Sequence, residues 1–104
     1  MQAFYDVIFS REMGCTEAEW LGWLPAAIGQ HAWQRSGQTA SVEIQNADGS
    51  VGRMALKWQT RTPRQIALMR IPRLLVSFEF EGLTDAQRYT FMRRFDLYMQ
   101  RGGG

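Results

Sequence analysis

Cys15 is the one thiol in the chain, and it stands immediately before Thr16-Glu17-Ala18-Glu19, a capping-box signature. Backbone N–H groups and the helix dipole at such a position favour thiolate, which makes Cys15 the candidate reactive thiol of an enzyme or redox sensor. A cysteine nucleophile also needs a base. The one histidine, His31, lies beyond the far end of the same predicted helix, about 20 Å along its axis. That pairing is excluded, and Cys15 reads more simply as a small, partly buried residue.

Other candidate chemistries are thinner. Glu79 and Glu81 share the outward face of one predicted strand, which describes a solvated strand before it describes a glycosidase pair. One His, one Cys and scattered carboxylates match no zinc or calcium spacing, so neither metal nor cofactor is expected. Asp48-Gly49-Ser50-Val51-Gly52 lies between two strand patterns, which makes it a turn and not a phosphate-binding loop.

The strongest chemical signal is charge. Residues 49–73 contain Arg53, Lys57, Arg61, Arg64, Arg70 and Arg73 with no acid among them, whereas residues 1–48 carry a net −4 and residues 74–104 are neutral. Eleven of the twelve cations are Arg, whose forked donors suit carboxylate and phosphate. Arginines beside Trp58 would suit single-stranded nucleic acid, phosphates on the cations and bases stacked on the ring. However, Trp58 is in phase with Met54 and Leu56 and is expected to face the core, which removes the stacking element. The acids at 43, 48, 79 and 81 are possible partners on neighbouring strands. Polyanion binding here should be weak and salt-sensitive.

These residues need a scaffold, and the stretch from Ile71 to Arg101 defines it best. Leu74, Val76, Phe78 and Phe80 alternate with Leu75, Ser77, Glu79 and Glu81, the period of a strand with one buried face. Thr84 and Gln87 then form a second capping box. Phe91, Met92, Phe95, Tyr98 and Met99 fall on one side of the helix that follows, and Arg88, Arg93, Arg94 and Arg101 on the other. Upstream, Phe4–Phe9 reads as a strand, and Thr16 opens a helix with Trp20, Trp23, Leu24, Ala27 and Ile28 inward. Pro25 should kink or break it near Leu24, and Gly29 should end it. Residues 32–39 turn polar and are not read as a strand, with Ser36-Gly37 marking a loop or bend. Val42–Gln45 and Arg53–Gln59 form a hairpin across the 46–50 turn. Residues 65–70 read as a further strand, with Pro72 as a division or sharp bend before 73–81.

The fold class is therefore α+β: one domain over residues 1–101 and a flexible glycine tail at 102–104. An antiparallel sheet of four or five strands carries two helices on one face, in the order β-α-β-β-β-β-α. At 104 residues there is room for a single core. No apolar run is long enough to cross a bilayer, the first residues lack a signal-peptide pattern, and a lone cysteine fits a reducing compartment, so a cytoplasmic protein without a membrane role is expected.

Arg101-Gly102-Gly103 resembles the tail of ubiquitin-like proteins and sulfur carriers, but their tail follows a strand and ends on the second glycine. A short strand leading into a terminal amphipathic helix resembles the end of PilZ domains, whose paired arginines and Asp/Asn-x-Ser-x-x-Gly motif this chain lacks.

The leading functional expectation is a non-enzymatic domain acting through a protein partner or as a homodimer. Its ground is an aromatic content, including Phe4, Tyr5, Trp20, Trp23 and Trp58, larger than one small core needs. Trp33, in a polar stretch, is the candidate that either anchors a partner or plugs the core. Nucleic-acid or polyanion binding through residues 53–73, with Arg88, Arg93 and Arg94 as further contributors, is the alternative, and thiol chemistry at Cys15 the third.

Overall fold

Two long strands set the architecture. In the computed structural model, which describes residues 4–103, the elements are β1 (Ile8–Met13), α1 (Glu17–Ile28), β2 (Ala32–Ser36), β3 (Thr39–Gln45), β4 (Val51–Ile66), β5 (Met69–Glu81) and α2 (Asp85–Gly103). The five strands form one antiparallel sheet ordered β1-β5-β4-β3-β2. The α+β class and the order β-α-β-β-β-β-α agree with the sequence reading, although several boundaries move.

One face of the sheet is apolar by strict alternation. Ala40, Val42 and Ile44 of β3, Met54, Leu56 and Trp58 of β4, and Leu74, Val76, Phe78 and Phe80 of β5 are buried in one cluster with Trp20, Leu24, Phe91, Met92 and Phe95 of the helices. The opposite face carries Arg53, Lys57, Glu79 and Glu81 in solvent. Each helix has an apolar stripe, so both cover the same side of the sheet. Both capping boxes are present: Glu19 N–H donates to Thr16 Oγ1 at 3.1 Å, and Gln87 N–H donates to Thr84 Oγ1 at 3.2 Å.

The first strand lies later than expected, at Ile8–Met13 instead of Phe4–Phe9. Arg11 ought to end a strand whose inner face is apolar, yet it sits on the core side. Its guanidinium donates to Asp96 Oδ1 at 2.7 Å and lies over the Phe9 and Phe78 rings. Asp96 also accepts from the Tyr5 hydroxyl at 2.6 Å. Burial, then this bond to Asp96, holds the Tyr5 phenol far above its ordinary pKa.

The polar stretch at 32–39, not expected as a strand, is instead β2 plus a two-residue turn at Gly37-Gln38, with Gly37 in the left-handed region at φ 59°. Nor does α1 break at Pro25. It runs on to Ile28, because Ala27 and Ile28 are buried and Arg94 reaches across from α2 to donate to the carbonyls of Ala26 and Ala27 at 3.2 and 3.3 Å. The cation that favours a helix C-terminus is thus supplied by the neighbouring helix. Gly102 and Gly103, expected in a tail, continue α2, and Gly104 lies outside the described residues.

Candidate nucleic-acid interface

β4 and β5 outrun the rest of the sheet. Pairing with β3 covers β4 only from Val51 to Lys57, and pairing with β1 covers β5 only from Leu74 to Glu79. Between them, Arg61 pairs with Arg73, Arg64 with Ile71, Gln65 with Arg70 and Ile66 with Met69. These residues form a two-stranded arm with no further strand on either side, about 20 Å from Arg61 to the turn at roughly 3.3 Å per residue.

Residues 65–70, expected as one strand, are therefore the two sides of the arm's tip. Pro72 does not divide β5. The register shifts between Arg61 and Arg64, which places Thr62-Pro63 of β4 opposite Pro72, and both prolines sit at this irregularity, where a missing N–H interrupts least. The turn is Ala67-Leu68, with Ala67 at φ 52°. No Gly, Asn or Asp marks it, so ordinary turn chemistry does not reveal it. A subtler signal does: Arg61-Thr62-Pro63-Arg64 and Arg70-Ile71-Pro72-Arg73 repeat one pattern on either side of that turn.

The six candidate cations are brought onto one continuous structure. Arg53, Lys57 and Arg61 occupy one face of β4 at every second outward position, while Arg64, Arg70 and Arg73 lie on the arm. Arg53 is offset by Glu81 at 3.6 Å and faces Glu43 in register on β3. The acid that sequence reasoning overlooked is Glu12, at the end of β1. It accepts from Arg73 at 2.7 Å and from Arg64 at 3.3 Å, and Arg73 also donates to the Thr62 carbonyl at 3.1 Å. The bond to Arg73, with Arg64 and Arg61 nearby, holds the Glu12 carboxyl below its usual range. Three guanidinium groups thus gather about one carboxylate, leaving positive charge in excess. Among the described residues, Lys57, Arg61 and Arg70 make no ion pair.

At the arm's tip the surface turns apolar. Leu68 is 99% exposed, and Ile66 and Met69 are exposed beside it. The aromatic content that suggested a partner surface is instead largely absorbed by the core. Tyr5, Trp20, Trp58, Phe91 and Phe95 are buried, and Trp23 and Trp33 pack against that cluster. Trp33 lies on β2 opposite Val42, half-buried against that cluster. Trp58 faces inward as expected, its indole N–H donating to Glu17 at 2.8 Å, so among the described residues no ring lies on the basic face to stack a base.

The remaining candidates are employed elsewhere. Arg88, expected on the polar side of α2, is buried; it donates to the carbonyls of Tyr5 and Leu83 at 2.9 Å and pairs with Asp85. Arg94 caps α1. Cys15 is buried, and burial followed by the nearby Glu19 pushes its thiol up to about 11, opposite to the shift expected of a reactive thiol beside a helix N-terminus. His31 accepts a hydrogen bond from Gln45 N–H through Nδ1 at 3.0 Å. Among the described residues no three His, Cys, Asp or Glu side chains gather as a metal site, and no helix is long and apolar enough to cross a membrane. Comparison with family models, with curated proteins and with solved structures finds no match to this chain.

Proposed function

We propose that this protein is a non-enzymatic binding module whose β4–β5 arm docks on duplex nucleic acid. The observation that carries the reading is the arm itself: a bare two-stranded ribbon, basic along its length and apolar at its tip, projecting beyond the helix-covered body. A two-stranded ribbon fits the major groove of B-form DNA, where Lys57, Arg61 and Arg70 would meet phosphates. An exposed Leu68 flanked by Ile66 and Met69 is the kind of side-chain group that wedges at a base step. Duplex is favoured over single strand because the nearest tryptophan faces the core, leaving no platform for an unpaired base.

The test is a titration of a fluorescent mixed-sequence duplex and its single strand at about 50 and 200 mM salt. Duplex should bind better than single strand, and about three phosphate contacts would cost roughly fortyfold in affinity across that range. Simultaneous Arg61→Ala, Arg64→Ala and Arg70→Ala substitutions should abolish binding while leaving the circular dichroism spectrum unchanged. Equal affinity in that variant, or no binding by the native chain at the lower salt, would refute the reading.

Self-association is the second reading, and a different surface supports it. Phe4, Val7 and Ile8 are exposed together where the chain enters the edge strand β1. Large exposed apolar groups beside a free strand edge favour pairing with another chain. Sedimentation equilibrium would show a dimer that Ile8→Lys dissociates; a monomer at all concentrations would dispose of this reading.

A further inference from the structure

On the far side of the molecule from the arm, a groove of about 350 Å³ opens between the end of α1, the first half of α2 and the β3–β4 turn. Its size lies in the range of small-molecule sites, about 300–1,000 Å³. Ile28, Ile44 and Phe91 give it an apolar floor, and its polar groups are divided between two ends.

At one end stand Arg94 and His31. Arg94 uses Nη1 on the carbonyls of Ala26 and Ala27, which fixes its guanidinium in place and leaves its other N–H groups for a ligand. His31 accepts from Gln45 N–H through Nδ1, which makes Nε2–H the donor on its other edge. Its ring also lies 5.3 Å from that of Phe91. Burial and then Arg94 hold the His31 pKa below its ordinary value, so near neutral pH it donates as the uncharged ring. A second depression shares Ile28, His31, Gln45 and Arg94, so these two donors sit where two hollows meet.

The other end is closed to anions by Asp48. Its carboxyl is held ionised by the hydroxyl and N–H of Ser50, with Gln87 Nε2 3.4 Å away. A second negative charge on a ligand would lie against it.

We propose that this groove binds a small organic monocarboxylate with an apolar body, the carboxylate taken by Arg94 and His31 and the body lying on Ile28, Ile44 and Phe91. The charge at each end sets the selectivity. A lone amine finds no acceptor at the Arg94 end, and a second carboxylate at the far end meets Asp48, so the one anionic group must enter at Arg94 and His31 and the far end must carry no negative charge.

Amide chemical-shift titration of the full chain with 3-phenylpropanoate, 2-phenylethylamine and 3-(4-carboxyphenyl)propanoate, whose two carboxylates lie at opposite ends, tests this. Titration would run to about 10 mM, roughly ten times the dissociation constant expected of so small a ligand. 3-Phenylpropanoate should saturate with shifts centred on His31, Gln45, Thr90 and Phe91, and the amine and the dicarboxylate should not. Arg94→Gln should weaken 3-phenylpropanoate at least about tenfold. Because Arg94 also caps α1, Ala86→Trp, which fills the groove without touching that cap, serves as the second variant and should block binding. Absence of saturation by 3-phenylpropanoate, equal shifts with 2-phenylethylamine, or undiminished binding in Ala86→Trp would each overturn the proposal.

Discussion

Leu68 and Leu74 belong to one hairpin, yet Leu68 is 99% exposed and Leu74 is fully buried. What separates them is company. At Leu74, Met13 of β1 pairs alongside and the helices lie above; a few residues outward, neither β1 nor β3 continues and no helix reaches. In the body, alternation buries one side chain in two. In the arm the same extended backbone buries almost none, so its apolar residues add nothing to the core. Arginine shows the contrast in reverse: Arg11 and Arg88 in the body are committed to fixed partners, whereas Arg61 and Arg70 on the arm are left to solvent.

The largest effect should come from breaking a commitment in the body. Asp96→Ala removes the carboxylate that accepts from both Arg11 and the Tyr5 hydroxyl, taking the ion pair from a part-buried cation and that acceptor from a buried phenol. Removing one partner of such a pair costs about 3 kcal/mol, which equilibrium urea unfolding would read as a lower midpoint. The matching change at the arm, Glu12→Gln, removes the negative charge that Arg64 and Arg73 share but keeps an oxygen to accept from them, and it should leave the midpoint in place while tightening duplex binding at low salt. Equal losses from the two substitutions would erase the distinction between the regions.

Burial of Cys15 makes the next prediction, through pH. Its thiol titrates at about 11 in the folded chain, above the ordinary value near 9 that it regains on unfolding. The unfolded state therefore releases its proton first. The contribution is complete below pH 9 and is lost as pH rises toward 11, amounting to about 2 kcal/mol at the linkage slope. Cys15→Ala should remove the decline between about pH 9 and 10, below the range in which the raised Tyr5 phenol adds its own. A decline of the same size in the variant would mean that the thiol faces water, as the arm's residues do.

What could be read in the chain follows the same division. The helices were legible because their signals are local: Thr16 with Glu19, Thr84 with Gln87, and aromatic residues at helical spacing. The inward face of Met54, Leu56 and Trp58 was legible for the same reason. Arg88 was misread, and Arg11 and Glu12 were passed over, because the groups that explain them, the Tyr5 carbonyl, Asp96 and Arg73, lie tens of residues away in sequence. The arm was hidden twice, by a turn that lacks turn residues and by Pro72, which reads as a break but sits at a bulge. The six cations of residues 53–73, four of them on the arm, are visible from charge alone, while the exposed tip of Ile66, Leu68 and Met69 is not, because exposure depends on where the neighbouring strands stop.

The smallest effect is the sharpest on this point. Ala67 holds φ 52° at the first position of a two-residue turn, where glycine is the usual occupant when φ is positive there alone. Left-handed backbone costs a residue with a Cβ about 1 kcal/mol, so Ala67→Gly should relieve roughly that much. If the arm opens separately from the body, the gain stays local. Amide exchange at Gln65, Ile66 and Arg70 should slow about fivefold, and the urea midpoint should not move. A midpoint that rises by the full amount would show arm and body unfolding as one unit, with the tip's geometry felt throughout the core.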